Sequence, residues 1–249
     1  MHTKQDLLSD LAKMNIDPKA TLMIHIAYKA IGEVEGRGNT VLDALSEYMQ
    51  PGLLVLPSHT WRNVNVKDNP VMDVLHTPSC VGVLTELFRK RDGVHRSLHP
   101  THSLAALGTG AESFVSGEEN IQTPCAKGGA YYKLWEHDAQ ILLIGVNFAR
   151  NTFIHGIEEW DNAEGTISKE KSDLYVINHQ GNRLYTPQFR HCAPRGSDTF
   201  PKLEAPALHS GILSFGKFGD ASTRLMRAKP LREMLASLLK DDPQYLLQY

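Results

Sequence analysis

The sequence contains few cysteines and no cysteine pair. Cys80, Cys125 and Cys192 are odd in number and far apart, and no Cys-x-x-Cys motif occurs. A disulfide framework or a cysteine-based zinc site needs paired or regularly spaced cysteines. We therefore predict free thiols and a reducing compartment, the cytoplasm.

Long apolar segments and an excess of one charge are also missing. No run of about 18 apolar residues occurs, and the first residues lack the apolar core of a signal peptide. Lys and Arg number 26 against 28 Asp and Glu, and the basic residues are spread along the chain. This distribution predicts no nucleic-acid partner and no membrane partner.

The apolar residues that are present follow an α/β pattern. The spacing predicts a helix over residues 3–14 with Thr3 as its N-cap, because Leu7, Leu8, Leu11 and Met14 recur at helical intervals. Two apolar runs, 22–26 and 52–57, predict buried strands on either side of a helix over 41–49. A strand, helix and strand within this length form a βαβ unit, which requires a parallel pair.

The same alternation continues through the rest of the chain. Residues 103–107 and 141–146 predict strands, residues 173–190 a hairpin, and residues 81–89, 131–136, 153–160 and 231–239 helices. We predict one α/β domain spanning residues 1–249. Its sheet is expected to be mixed and mostly parallel, with helices on both faces and a β-hairpin in the C-terminal half.

The first candidate site is the glycine-bearing loop Tyr28–Thr40, between a predicted strand and a predicted helix. Glycines allow backbone N–H groups to approach an anion, and a helix N-terminus favours negative charge. Lys29 and Arg37 add positive charge to this loop. The loop matches neither a Walker A motif nor a dinucleotide fingerprint, so an ordinary strand-to-helix connection remains the alternative.

The second candidate is the segment Ser97–Ser103, in which His99 and His102 flank Pro100 and Thr101. Proline between the histidines argues against a helical metal-binding face, and no acidic or cysteine partner has ligand spacing. A structural or substrate-lining loop is the favoured interpretation. A metal-dependent hydrolase using His99, His102 and His155 remains an alternative.

The third candidate joins a buried strand to a helix and carries His155 and Glu158. Open α/β sheets bind ligands at such strand ends. Residues at i and i+3 share one helical face, and a carboxylate beside an imidazole fixes its tautomer and raises its basicity. The alternative is a surface ion pair. No Gly-x-Ser-x-Gly elbow occurs, and Cys125 is interpreted as an inert buried thiol.

Several segments together resemble one enzyme family over nearly the whole chain. They are Leu22-Met23-Ile24-His25 with Lys29-Ala30-Ile31-Gly32, His99-Pro100-Thr101-His102-Ser103, Leu142-Leu143-Ile144-Gly145-Val146 with Asn151-Thr152-Phe153-Ile154-His155, Phe200-Pro201-Lys202-Leu203-Glu204, and Gly216-Lys217-Phe218-Gly219-Asp220-Ala221. In their number and order they resemble the aminoglycoside 3-N-acetyltransferases.

The resemblance implies an acetyltransferase that uses acetyl-coenzyme A without a metal and confers antibiotic resistance. By similarity, His155 is the general base and Glu158 orients it, with the adjacent Glu159 as the alternative. Coenzyme contacts are expected from the loop after the first strand and from the segment before residue 104: Lys29, Ala30, Ile31, Gly32, Gly36, Arg37, Gly38, Thr101 and Ser103. A homodimer is an assembly that the resemblance allows.

The acceptor implied by the resemblance is the 3-amino group of a 2-deoxystreptamine aminoglycoside. Because an aminoglycoside is polycationic, we expect carboxylates along its cleft. The acidic residues considered for this are Glu158, Glu159, Asp161, Asp68 and Asp73, with solvated surface acids as the alternative for the last two. Another amine metabolite is the alternative acceptor. The hydroxyls of Thr101, Ser103 and Thr152, or backbone N–H groups, are expected to stabilise the oxyanion.

Overall fold

The computed structural model describes residues 1–192 and 196–247. Eight α-helices lie in these ranges: α1 Lys4–Lys13, α2 Arg37–Tyr48, α3 Val83–Phe88, α4 Ala111–Val115, α5 Ala130–Glu136, α6 Phe153–Trp160, α7 Glu204–His209 and α8 Ala228–Asp241. Ten strands accompany them: β1 Thr21–Ile26, β2 Leu53–Pro57, β3 Val71–Asp73, β4 His95–Arg96, β5 Leu104–Gly108, β6 Gln140–Ile144, β7 Tyr175–Ile177, β8 Arg183–Tyr185, β9 Ser214–Phe218 and β10 Ala221–Arg227.

The main sheet has seven strands in the order β4-β5-β2-β1-β6-β10-β9. β1 pairs in parallel with both β2 and β6, as the βαβ pattern predicted. The outer pairs are antiparallel. The sheet is therefore mixed, as expected, but its parallel part is confined to the three central strands and does not extend over most of the sheet.

The central strands are mostly apolar because both of their faces are covered. Alternate residues of β1 face opposite ways: Met23 packs in one core cluster, and Leu22 and Ile24 pack in the other. The first cluster includes residues of α5, α6 and α8, and the second includes residues of α1, α2 and α3. Side chains that point alternately to two apolar layers explain why these strands read as continuous hydrophobic runs.

The N-terminal helix begins where the sequence predicts. Thr3 accepts a hydrogen bond from the backbone N–H of Asp6 (3.2 Å), and the Asp6 carboxylate accepts one from the backbone N–H of Thr3 (2.8 Å). This reciprocal capping box satisfies two amide groups that a helix end otherwise leaves unpaired.

Two hairpins complete the structure. The predicted one is present: β7 and β8 are antiparallel and turn through Gly181, and β3 joins them in a small three-stranded sheet. The second, β9–β10, was not predicted as strands, and it extends the main sheet beyond β6. Among residues 1–192 and 196–247, no helix has the length and apolar character needed to cross a membrane.

Candidate active site

A large cavity lies where the central parallel strands end. Its volume is about 680 Å³, and residues that follow β1, β2 and β6 contribute to its lining. From β1 the chain continues to α2 on one face of the sheet, and from β6 it continues to α6 on the other. The gap between β1 and β6 is therefore the topological switch point, where open α/β sheets bind their ligands.

His155 enters this cavity from the first turn of α6. Its Nδ1 lies 3.0 Å from Oε2 of Glu158, one helical turn further on. The Glu158 side chain is fully buried and that of His155 is 14% exposed. A buried carboxylate at this distance holds the proton on Nδ1 and leaves the Nε2 lone pair available for a ligand. The spacing of three residues thus produces the pair that the sequence predicted.

The neighbouring Glu159 does not orient His155. Its Oε1 lies 2.6 Å from Nε2 of His191 and accepts a hydrogen bond from the backbone N–H of Cys125 (2.9 Å). Its Oε2 accepts a hydrogen bond from the Thr123 hydroxyl (2.6 Å). The geometry therefore separates the two adjacent glutamates, because each holds a different histidine.

Several buried or partly buried histidines surround the pair. The ring centroid of His191 lies 4.4 Å from that of His155 and 5.3 Å from that of His102, which in turn lies 4.8 Å from His59. Burial, with mutual repulsion among the rings, lowers the pKa values of His59, His102 and His191 well below the ordinary range. The inner wall of the cavity is thus lined by imidazoles that stay neutral at neutral pH.

Sequence reasoning missed part of this cluster. His59 follows the end of β2, and His25 lies near the end of β1, so the rule that ligands bind at parallel strand ends could have indicated both. The Nε2 of His25 is buried and has no hydrogen-bond partner among the described residues. His191 lies in an irregular segment after β8, and no local pattern there indicates its position beside His155.

The two histidines of the second candidate segment have different surroundings. His99 Nδ1 accepts hydrogen bonds from the backbone N–H groups of Thr101 (3.2 Å) and His102 (2.9 Å), and its Nε2 lies 3.2 Å from the carbonyl oxygen of Thr123. Both nitrogens of His99 are therefore occupied by the backbone. His102 lines the cavity, and its Nδ1 lies 2.9 Å from the Thr101 hydroxyl. His99 is a structural residue of this loop.

Thr101 and Ser103 lie behind the cavity wall. Both are almost completely buried, and neither contributes to the lining. The Ser103 hydroxyl donates to the carbonyl oxygen of Ser58 (2.8 Å) and lies 3.3 Å from Nε of the buried Arg96. Of the three hydroxyls considered for the oxyanion, only that of Thr152 belongs to a lining residue. The structure does not bring Thr101 and Ser103 to the position expected for coenzyme contacts.

The loop after β1 is divided between the cavity and the core. Lys29 lines the main cavity, and Ala30 lines a second, more open one of about 570 Å³ beside Arg150. Ile31 is fully buried in the core. Gly32 has φ +82°, and a Cβ there would meet the Asp220 carboxylate. Of these four residues, Lys29 and Ala30 are the ones placed where a ligand can contact them.

The glycines at the start of α2 have local structural reasons. Gly36 adopts φ +68° at the N-cap, and a Cβ on Gly38 would lie 3.0 Å from the side chain of Leu84. Arg37 is exposed. None of these three residues lines either cavity beside the switch point, so the structure does not bring them together with Lys29.

The expected acidic cleft is not found in this cavity. Asp161 forms an ion pair with Arg232 (2.6 Å), and the Asp73 carboxylate accepts two backbone hydrogen bonds in a turn. None of the five carboxylates proposed from the sequence belongs to the lining. The charged lining residues are Lys29, Arg150 and Arg190, and none of the three forms a salt bridge with another described residue.

The set of residues proposed for a metal-dependent hydrolase is not assembled. Among the described residues, the group with ligand atoms close enough for one ion is Cys125, Glu159 and His191, within 4.8 Å of one another. Glu159 and His191 already bond to each other, and burial raises the pKa of the Cys125 thiol well above its ordinary value. A thiol that resists ionisation is a poor metal ligand, so these residues do not fit a metal site well.

Comparison with known proteins finds one enzyme family. The family model described as aminoglycoside 3-N-acetyltransferase matches residues 23–240. Aminoglycoside N(3)-acetyltransferase IV from Salmonella sp is 25% identical over 250 residues, covering 98% of this chain and 90% of that protein.

Two solved structures have the same fold. One is a histidine-to-alanine mutant of aminoglycoside acetyltransferase AAC(3)-IVa in complex with a gentamicin, with a TM-score of 0.85, 23% identity, and 99% of this chain and 92% of that chain covered. The other is AAC-IIIb in a binary complex with CoASH, with a TM-score of 0.84, 21% identity, and coverage of 96% and 97%. The chain therefore belongs to the aminoglycoside 3-N-acetyltransferase family, a family of acyltransferases.

Proposed function

We propose that this chain transfers the acetyl group of acetyl-coenzyme A to the 3-amino group of a 2-deoxystreptamine aminoglycoside, a reaction that confers resistance. The observation that carries the proposal is the His155–Glu158 pair, whose imidazole lines the cavity at the switch point of an acetyltransferase fold. We propose that residues 1–249 act as one domain, since helices from both halves of the chain pack on one sheet.

His155 acts as the general base. As the amine nitrogen attacks the acetyl carbonyl, it gains positive charge and must lose a proton, and the Nε2 of His155 is the acceptor. The Glu158 carboxylate holds the ring through Nδ1 and stabilises the imidazolium that forms (3.0 Å). The proton then passes to the departing thiolate, so that the pair returns to its starting state without a metal.

The oxyanion needs hydrogen-bond donors fixed beside the carbonyl carbon. Thr152 is the N-cap residue of α6, immediately before Phe153 and close in sequence to His155. It lines the cavity. Its hydroxyl is the side-chain donor we assign to this role. Thr101 and Ser103 are not assigned to it, because both are buried behind the wall.

The cavity fits the chemistry of coenzyme A. Lys29 and Arg150 lie on opposite sides of the gap between β1 and β6, one before α2 and the other before α6. Both are free of salt bridges to described residues, so their charges are available to phosphate groups. Val81, Val83 and Leu84 provide apolar lining suited to the pantetheine arm. A solved relative of the same fold binds CoASH.

Removing either cation should weaken coenzyme binding. We expect Lys29→Ala and Arg150→Ala each to raise the Kd of acetyl-coenzyme A by about 10–100-fold, because a charge-assisted hydrogen bond is typically worth about 1.5–3 kcal/mol. Calorimetry measures the Kd, and the rise in Tm on adding coenzyme is an independent check. Arg37→Ala is the matched control and should leave the Kd unchanged. Equal changes in Kd for all three variants would mean that Lys29 and Arg150 do not bind the phosphates specifically.

A second acceptor class is favoured by one observation. The charged residues in the lining are all cations, whereas a polycationic aminoglycoside is best matched by carboxylates. The same transfer to a neutral or anionic amine metabolite is therefore the second candidate function. It keeps the donor, the base and the reaction and changes only the acceptor.

A panel of acceptors separates the two candidates. Release of the coenzyme thiol should be measured with gentamicin, apramycin, neutral amines and amines that carry a carboxylate. The proposal predicts turnover with an aminoglycoside and a product acetylated at the 3-amino group. Turnover confined to neutral or anionic amines would reject an aminoglycoside as the acceptor and leave the proposed acetyl transfer unchanged. No thiol release with any amine would reject the proposed function.

The remaining expectations concern the cellular location and the partners of the enzyme. All three cysteines are free thiols, which supports the proposed location in a reducing cytoplasm. A homodimer and the absence of nucleic-acid and membrane partners stay predictions from the sequence.

A further inference from the structure

A second carboxylate–imidazole pair lies beside the first, and its histidine lines the cavity. Glu159 and His191 lie 2.6 Å apart, closer than the 3.0 Å of the Glu158–His155 pair. Both side chains are largely buried, with Glu159 5% and His191 13% exposed. Adjacent residues of α6 thus hold two different histidines, and only the first pair has a role in the mechanism above.

The two imidazoles face each other inside the same cavity. The rings of His191 and His155 are 4.4 Å apart between centroids and inclined by 30°, and both residues line the cavity. The Nε2 of His191 is the nitrogen bonded to Glu159, and its Nδ1 makes no hydrogen bond with any described residue. That second nitrogen is available to a ligand bound against His155.

The charge states of the pair allow the Glu159 carboxylate to take up a proton near neutral pH. Burial raises the pKa of Glu159 to about 7, although hydrogen bonds from Thr123 and Cys125 oppose this shift. Burial and the nearby charge of His155 lower the pKa of His191. The pair therefore gains and loses one proton near neutral pH while the ring of His191 stays neutral. A neutral ring can stack on His155 when His155 becomes charged.

Amine acetylation requires more than one proton transfer. An ordinary aliphatic amine is mostly an ammonium ion at pH 7, since its pKa lies near that of lysine, about 10.4. One proton must leave before the nitrogen lone pair can attack, and a second must leave during attack. His155 accounts for the second transfer.

We propose that His191 and Glu159 form a proton relay that takes the first proton from the ammonium form of the acceptor. The N–H bond of the ammonium breaks and leaves its electron pair on nitrogen, while a new N–H bond forms at His191 Nδ1. The Nε2–H bond of His191 then breaks, and its proton moves to Glu159 Oε1. After the thiol leaves, the same proton returns through His191 to solvent. This inference rests on the proposed amine acetylation.

Other titratable groups lie around the relay and influence its protonation electrostatically. His155 and Glu158 face it from α6, and Cys125 faces it from the loop before α5. On the remaining sides the charged or titratable neighbours are His102, His99 and Arg190. His102, His99 and Cys125 are neutral at pH 6–9 because burial disfavours their charged forms. Within that range, changes in the relay's protonation therefore depend mainly on the relay itself and on the His155–Glu158 pair.

The activity test compares two pH values. Glu159→Gln keeps an oxygen that accepts hydrogen bonds but cannot take up a proton. With gentamicin as acceptor, kcat/KM should fall about 10²-fold at pH 7.5, where Glu159 is mostly a carboxylate and the amine is mostly an ammonium ion. The deficit should shrink to about threefold at pH 9, where the amine is more often neutral. His191→Gln should behave alike. Phe200→Leu trims a ring 4.6 Å from His155 and is the control, with a deficit independent of pH.

A spectroscopic test does not depend on the acceptor. At pH 6 the infrared difference between the native protein and Glu159→Gln should contain the carbonyl band of a protonated carboxyl group, and this band should disappear by pH 8.5. Nitrogen NMR should find the His191 proton on Nε2 at the higher pH. A carboxylate at both pH values, a proton on Nδ1 at pH 8.5, or a deficit equal at pH 7.5 and 9 would overturn the relay. A native enzyme that acetylates no amine would instead reject the proposed function.

Discussion

Replacing His155 with alanine should lower kcat by about 10²–10⁴-fold, the range typical of a positioned general base. The Kd of acetyl-coenzyme A should change little, because His155 lies at the reacting end of the cavity and the phosphate ligands are assigned to Lys29 and Arg150. Glu158→Gln should also lower kcat, but by less, since the amide keeps part of the orientation and loses the charge that stabilises the imidazolium.

The measurement is kcat and Tm on the same folded preparations. A purely structural role for His155 predicts a modest loss of Tm with normal turnover per folded molecule. Near-native turnover of His155→Ala would remove this residue from the mechanism, and the search for the base would move to His102, which lines the same cavity.

The second large effect expected is loss of stability in mild acid. Burial lowers the pKa of His25 to about 3 and that of His99 to about 4, and it lowers those of His59, His102 and His191 well below the ordinary value. The unfolded chain binds protons at these residues near pH 6.5, and the folded chain does not. Their stabilising contribution is therefore complete above pH 6.5 and is lost as the pH falls towards the folded pKa values.

Two buried carboxyl groups oppose this trend in part. Burial raises the pKa values of Glu118 and Glu159 to about 7, so the folded chain holds two protons that the unfolded chain releases above its pKa of about 4.5. The balance is a net uptake of about three protons on unfolding near pH 5.5. The free energy of unfolding should then fall by about 4 kcal/mol per pH unit. Because the slope is small at pH 7 and grows below pH 6.5, the loss from pH 7 to pH 5 adds up to about 5 kcal/mol. A protein at the lower end of ordinary stability, about 5 kcal/mol, should therefore unfold near pH 5.

Denaturant unfolding monitored by circular dichroism between pH 7 and 5 checks this slope. His25→Leu should reduce the proton uptake by about one, because it removes one buried imidazole. His179→Asn, outside the buried cluster in the turn between β7 and β8, is the matched control and should leave the slope unchanged. A free energy of unfolding that stays constant from pH 7 to 5 would contradict the buried neutral cluster.

The central sheet could be predicted from the sequence because its signal is local. The apolar runs of β1, β2 and β6 are buried on both faces, so each strand is continuous in hydrophobicity. β9 and β10 lie towards the sheet's edge, and several of their residues are exposed. Because their residues are a mixture of polar and apolar types, the sequence alone does not indicate these strands. They become recognisable from the turn at Gly219 and from the pairing of β10 with β6.

In the candidate site, too, the contacts within one helix could be predicted from the sequence and the contacts between distant segments could not. His155 and Glu158 are three residues apart on one helix, so their contact follows from helical geometry alone. The contact of Glu159 with His191 spans 32 residues and depends on how the segment after β8 returns to α6. Likewise, the cationic lining is assembled from three separate segments, and no local pattern favoured it over an acidic cleft.

We expect acetyl transfer to take place at His155 inside the cavity between β1 and β6. A crystal structure of the protein with bound coenzyme A would show whether the reacting atoms meet there. We expect the coenzyme sulfur within about 4 Å of the Nε2 of His155, within reach for proton transfer. The phosphates should lie beside Lys29 and Arg150, and the pantetheine arm should lie along Val83 and Leu84. A coenzyme bound outside this cavity, or with its sulfur directed away from His155, would contradict the account.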